Sequence, residues 1–186
     1  MNIRDERRER KLEAHCAALA DVVVAIRPVW SKAGPEQQAL IETMIGAAIW
    51  YVPKPIEAWT GCISIGALEH FHPDSGVDGP RFSEEHVYPR KVAAKMLLAD
   101  MKLDGARMVA LFREKYGRLH YITPDENKSV QPYQRASVFS TPDEAYVKAG
   151  VKLVAIAPEH LRPIKQRDRG TIEKYLDDQK KDQSDQ

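Results

Sequence analysis

The sequence is poor in the features that mark several protein classes. It has two cysteines, Cys16 and Cys62, in unrelated contexts with no C-x-x-C spacing, so neither a disulfide framework nor a zinc knuckle is indicated and a reducing compartment is expected. No apolar run reaches membrane-spanning length, because Asp21 and Glu42 interrupt the longest patches, and the opening Met-Asn-Ile-Arg-Asp-Glu-Arg-Arg lacks the apolar stretch of a secretory signal. A soluble cytoplasmic protein with no membrane partner is expected. The glycines form neither a dinucleotide fingerprint nor a phosphate loop, and no long-period repeat is present. What remains is an ordinary soluble composition: 186 residues, 43% apolar and 30% charged, enough for one domain with a sizeable core.

Net charge is lacking as well. The 28 Lys and Arg nearly cancel the 27 Asp and Glu, leaving +1, and a neutral sum ordinarily argues against a nucleic-acid partner. The cancellation is regional: residues 36–80 carry one positive and six negative side chains, residues 81–135 eleven and seven. The sign switches near Arg81, and such segregation sets local binding even in a neutral molecule.

Leu12, Cys16, Leu19, Val23 and Ile26 recur at four- and three-residue steps, which puts them on one stripe of a helix that Pro28 is expected to end. A second helical pattern starts at Pro35 and carries Leu40, Ile41, Met44, Ile45, Ala48 and Val52 up to Pro53 and Pro55. Residues 1–55 are therefore expected to form a helical hairpin. Ser64 can cap a short helix bearing Ile65, Leu68 and Phe71, and residues 73–80 have loop chemistry throughout. Further helices are expected over 90–102 and 106–116. Thr-Pro-Asp-Glu occurs at 123–126 and again at 141–144; in each, Thr caps, Pro fits the first turn and Glu returns a bond to the cap backbone. The β-branched and aromatic residues at 118–122, 137–139 and 151–156 favour strands, and the polar segment 175–186 is expected to fray.

The cluster with most chemical content is Ser83-Glu84-Glu85-His86-Val87-Tyr88-Pro89-Arg90-Lys91. A carboxylate directly before a histidine pairs a group that binds a divalent cation with one that takes a proton from water near neutral pH. Arg90 and Lys91 supply positive charge for a phosphate, and metal-assisted phosphodiester hydrolysis needs this set of residue types. The bland alternative is two solvated acids and a loop histidine ahead of a helix.

Downstream, His120-Tyr121-Ile122 runs into the capped helix at Thr123-Pro124-Asp125-Glu126-Asn127. With Glu85-His86 this resembles the HNH, or ββα-metal, nuclease family, whose site joins a strand ending in acid-His, a second strand and a helix that contributes Asn or His. The resemblance covers residues 80–135. It implies Glu85 and Asn127 as ligands of a divalent metal such as magnesium (Mg2+), His86 as general base, and a nucleic-acid substrate, DNA ahead of RNA. Arg90, Lys91 and Lys95 would meet backbone phosphates. The chain departs from the family pattern in two ways: 41 positions separate His86 from Asn127, and no histidine follows Asn127 in its helix.

His70-Phe71-His72-Pro73-Asp74 resembles the leading metal motif of metallo-β-lactamase-like hydrolases, but Ser75 replaces a further histidine and the helical N-terminal third does not suit that β-rich family, so a surface turn is expected. Trp30, Trp50, Trp59, Tyr51 and Tyr133 can stack on bases, though aromatics near helix ends more often seal a core. Cys62 is expected to be a buried structural thiol. The expected fold is α+β: a helix-rich single domain with a small antiparallel ββα-metal-like core at 56–174, the hairpin at 1–55 and a polar tail. A metal-dependent nuclease is the expected function, and a non-catalytic nucleic-acid or protein-binding module using the basic 81–135 surface is the alternative.

Overall fold

The computed structural model of the chain describes residues 3–55, 57–135 and 143–184. The protein is α+β, rich in helix, with one small four-stranded sheet. It divides into two compact units interleaved in sequence: residues 1–58 with 86–118, and residues 59–85 with 119–186. The hairpin therefore shares its unit with the helices after His86, which departs from the consecutive segments 1–55, 56–174 and 175–186 that the sequence suggested.

The first unit is helical. Helix α1 (Ile3–Lys32) and α2 (Pro35–Tyr51) are the expected hairpin, and α4 (Arg90–Ala99) and α5 (Gly105–Leu111) pack with them. Its core takes Leu12, Cys16, Leu19 and Val23 from α1, Ile41, Ile45 and Ile49 from α2, and Leu97, Leu98 and Met108 from the later helices. Burial pushes the Cys16 thiol up to about 11, against a weaker pull downward from Arg113. Pro28 does not end α1, which continues to Lys32. Proline removes one helical hydrogen bond, but the last turn is held from α2, where Gln38 Nε2 donates to the Trp30 carbonyl (3.1 Å) and Glu42 accepts from Trp30 Nε1 (3.3 Å). Gly105 opens α5 behind the Asp104 cap, whose Oδ1 accepts from the Arg107 amide at 2.7 Å.

The second unit holds the sheet, ordered β2-β3-β1-β4, with β1 (Trp59–Ser64), β2 (Ser83–His86, its last residue belonging to the first unit), β3 (Leu119–Ile122) and β4 (Leu153–Ala155). The expected antiparallel core is in fact mixed. β1 runs parallel to β3, pairing Trp59 with Leu119 and Ile63 with Tyr121, and antiparallel to β4. Parallel neighbours require a long crossover, and residues 65–118 supply it. Around the sheet lie α3 (Ile65–Phe71), α6 (Pro124–Arg135), α7 (Asp143–Lys148), α8 (Leu161–Lys165) and α9 (Arg169–Ser184).

Ser64 caps α3 as expected, accepting from the Ala67 amide at 3.1 Å. The capping box at 123–126 closes in both directions: Thr123 Oγ1 accepts from the Glu126 amide (3.1 Å) and Glu126 Oε2 from the Thr123 amide (2.8 Å). The strand expected at 137–139 and the cap at Thr141-Pro142 lie outside the described residues. The segment expected to fray continues α9 as far as Ser184, because Ile172 is buried and Tyr175 and Leu176 pack beside it on the same apolar cluster. Among the described residues no helix is long and apolar enough to cross a membrane.

Candidate active site

His86 closes β2 and is buried, 7% exposed. In its own unit its Nδ1 lies 3.1 Å from the Tyr116 carbonyl oxygen. A carbonyl can only accept, so Nδ1 carries a proton, and when the imidazole is neutral its lone pair is on Nε2. The carbonyl is presented by a wide, π-helical turn at Phe112–Tyr116, closed by the Gly117 amide donating to the Phe112 carbonyl at 2.7 Å. A Cβ on Gly117 would stand 2.6 Å from the Phe112 ring, so the turn requires glycine. Tyr88 sits edge-on to Tyr116, and burial pushes the Tyr116 hydroxyl up to about 12.

A second neighbour of His86 is the Trp50 indole, 5.8 Å between ring centroids. Trp50 carries the Arg90 guanidinium over its ring at 4.7 Å and Lys54 Nζ at 5.8 Å. Gly46, one turn earlier on α2, makes this possible: a Cβ there would come within 3.2 Å of the Arg90 backbone, so the start of α4 approaches α2 at that point. Of the three cations assigned to phosphates, Arg90 is thus committed to an aromatic face. Lys91 and Lys95 are exposed one turn apart on α4 and make no ion pair among the described residues.

The other two site residues belong to the second unit. Gln134 Nε2 donates to Glu85 Oε1 at 2.7 Å, and Asn127 Nδ2 donates to Ser83 Oγ at 2.7 Å while its Oδ1 accepts from Gln131 at 3.3 Å. Ser83 and Glu85 share a strand face, since side chains alternate, and His86 projects to the opposite side. Glu85 and Asn127 therefore meet the same β2–α6 seam on bonds separated by two strand residues, about 6.6 Å. Their oxygen donors suit a hard cation in type. In arrangement they do not gather around one: each is spent on another side chain, and among the described residues no group of three or more His, Cys, Asp or Glu could hold a metal ion.

The competing His70-x-His72-x-Asp74 motif is only partly the expected turn: His70 ends α3 and Asp74 lies in a short 3-10 turn at Pro73–Ser75, and His72 and Asp74 are otherwise engaged. His72 Nδ1 accepts from the Asp74 amide at 3.2 Å, which leaves Nε2–H toward Glu173 at 3.4 Å, and Asp74 takes two 2.7 Å bonds from Arg169 that hold its carboxyl below the usual range. These side chains line an open groove of about 620 Å³ with Glu69 and Lys180.

Several side chains are placed differently from the sequence expectation. Trp50, Tyr51 and Tyr133, expected to seal a core, are exposed, and Trp50 is the one beside His86. Cys62 is half-buried instead of buried. Glu126, assigned only to a cap, also accepts from the buried Ser64 hydroxyl at 2.6 Å. The one advance signal was the i, i+4 spacing of Gly46 and Trp50 on a helix with apolar residues on more than one face. Compared with models of known protein families, with curated proteins and with solved structures, the chain matches none.

Proposed function

We propose that the protein hydrolyses phosphodiester bonds in nucleic acid, with His86 as general base. The observation that supports this reading is the Nδ1 bond to the Tyr116 carbonyl, which fixes the tautomer whose Nε2 accepts a proton. Water loses that proton to Nε2 and its oxygen bonds to phosphorus as the bond to the leaving ester oxygen breaks; the leaving oxygen takes its proton from solvent. Charge supports the same assignment. The unit carrying His86 has 16 Lys and Arg against 11 Asp and Glu, net +5, whereas the other has 12 against 16, net −4. Lys91 and Lys95 offer exposed cations for the phosphate backbone.

Glu85 and Asn127 are the residues we assign to a divalent cation such as Mg2+, which would stabilise charge on the phosphate oxygens. Gln134 and Ser83 occupy them in the present conformation. That occupancy favours a second reading, a non-catalytic nucleic-acid or protein-binding module on the basic 81–135 segment, in which Glu85 and Asn127 stitch β2 to α6.

The deciding experiment incubates the purified full chain with single- and double-stranded DNA and RNA, with and without Mg2+ or Mn2+. Cleavage by the parent and its loss by two orders of magnitude or more in His86→Ala, with binding retained, is expected. Equal cleavage by parent and variant sinks the assignment, and salt-sensitive binding without cleavage favours the module.

A further inference from the structure

We propose that Trp50 is a stacking platform for one unpaired base of a single-stranded nucleic acid, beside the phosphate addressed by His86. The proposal rests on the reading of His86 as the base of a phosphodiester site and names the substrate class of that site.

Trp50 differs from the other tryptophans. Trp30 donates its indole N–H to Glu42 and Trp59 donates to the Cys62 carbonyl, both half-buried, whereas Trp50 is 50% exposed and its N–H makes no hydrogen bond among the described residues. A large aromatic ring so exposed contributes little to the core, and its position is nevertheless fixed by the close approach at Gly46 and by the Arg90 guanidinium. The surroundings suit a nucleotide better than a protein side chain: two cations, Arg90 and Lys54, flank the ring and the unit is net positive. A base on the exposed part of the indole keeps its phosphate one sugar away, next to these cations and to His86. A paired base in a duplex shows no face to such a ring, so the arrangement selects single strands, ends or unpaired nucleotides.

The test measures binding of a labelled single-stranded oligonucleotide, the matching duplex, and a single strand of the same length with abasic sugars throughout its centre, by fluorescence anisotropy in EDTA. The full chain is compared with Trp50→Phe and Trp50→Ala. The parent is expected to bind the normal single strand about 10-fold more tightly than the duplex or the abasic strand. Trp50→Ala should lose about 5- to 150-fold on the normal strand and nothing on the abasic one, and Trp50→Phe should keep most of the affinity. Equal binding of normal and abasic strands by the parent overturns the proposal without any variant, so a misfolded alanine variant cannot rescue it. Absence of oligonucleotide binding overturns it too. Cleavage is scored separately: Trp50-dependent binding without turnover keeps the platform and removes the nuclease, and turnover with equal normal and abasic binding does the reverse.

Discussion

Replacing Gly66 by alanine should destabilise the second unit, against the usual helix preference. Gly66 lies in the first turn of α3, where alanine is ordinarily favoured by up to about 1 kcal/mol. A Cβ there would stand 2.6 Å from Glu126 Oε1 and 3.0 Å from its Cδ. Ordinary contact begins at 3.4 Å, so the carboxylate would have to withdraw by about 0.8 Å, the difference between those distances. A long side chain normally yields cheaply. This one is pinned: its Oε2 accepts at 2.6 Å from the Ser64 hydroxyl and at 2.8 Å from the Thr123 amide. A withdrawal of that size lengthens both bonds by up to about 0.8 Å and weakens the acceptor of the buried Ser64 hydroxyl. Two weakened charge-assisted bonds cost about 2–3 kcal/mol together, so Gly66→Ala should lose about 1–2 kcal/mol after the helix gain.

The decisive measurement is a double-mutant cycle with Glu126→Ala, by urea unfolding followed through far-UV circular dichroism. Once the carboxylate is gone the added methyl has no neighbour closer than ordinary contact at 3.4 Å, and Gly66→Ala should become neutral or stabilising by up to about 1 kcal/mol. The expected coupling is therefore about 2 kcal/mol, within the range of contacting pairs. A stabilising Gly66→Ala in the parent, or effects that simply add, would show that Glu126 is not the pinned node described above.

Two further outcomes follow from single sites. Pro28→Ala should stabilise the first unit by about 1–3 kcal/mol, because Pro28 is exposed inside a continuous α1 and alanine restores a helical donor at no packing cost; an unchanged or lower melting temperature refutes this. At Asp100, burial pushes the carboxyl up, but Arg107 Nε (2.5 Å) and the Lys102 amide (3.0 Å) outweigh it and hold the group below its ordinary value. A lowered folded pKa gives stability that is present above the unfolded value near ~3.9 and is lost as pH falls through the folded one. Asp100→Asn should therefore melt lower than the parent at pH 7, by under about 1 kcal/mol for so exposed an Arg107, and the gap should close in acid; a gap that widens there refutes the sign.

Local signals were legible in the sequence and long-range ones were not. The capping box at Thr123 and the cap at Ser64 were readable because donor and acceptor lie three residues apart. β1 was not, because Trp59-Thr60-Gly61-Cys62 alternates nothing; it becomes a strand by pairing with Leu119 and Tyr121 on one side and residues 153–155 on the other. Pro28 misled for the complementary reason: the local break is outweighed by Gln38 and Glu42 from the next helix. The three residues drawn from the family resemblance fared similarly. Glu85, His86 and Asn127 occupy the expected strand end and helix start, but their partners Gln134 and Tyr116 come from positions that no motif marks, and Ser83 has no expected part within its cluster.

The charge distribution shows what the fold adds to such a motif. Along the sequence the basic excess at 81–135 looked like one patch running through all of Glu85, His86 and Asn127. In the fold that segment is cut twice, after Glu85 and after Arg118, and residues 86–118 go to the first unit with eight Lys and Arg against three Asp and Glu. The positive charge therefore stays with His86, Lys91, Lys95 and Trp50, while Glu85 and Asn127 fall in a net-negative unit. Under the proposed function, a phosphate would be drawn to the net-positive unit and a cation to the net-negative one. If Glu85 serves a cation as proposed, Glu85→Gln should impair cation dependence while leaving salt-sensitive oligonucleotide binding close to that of the parent.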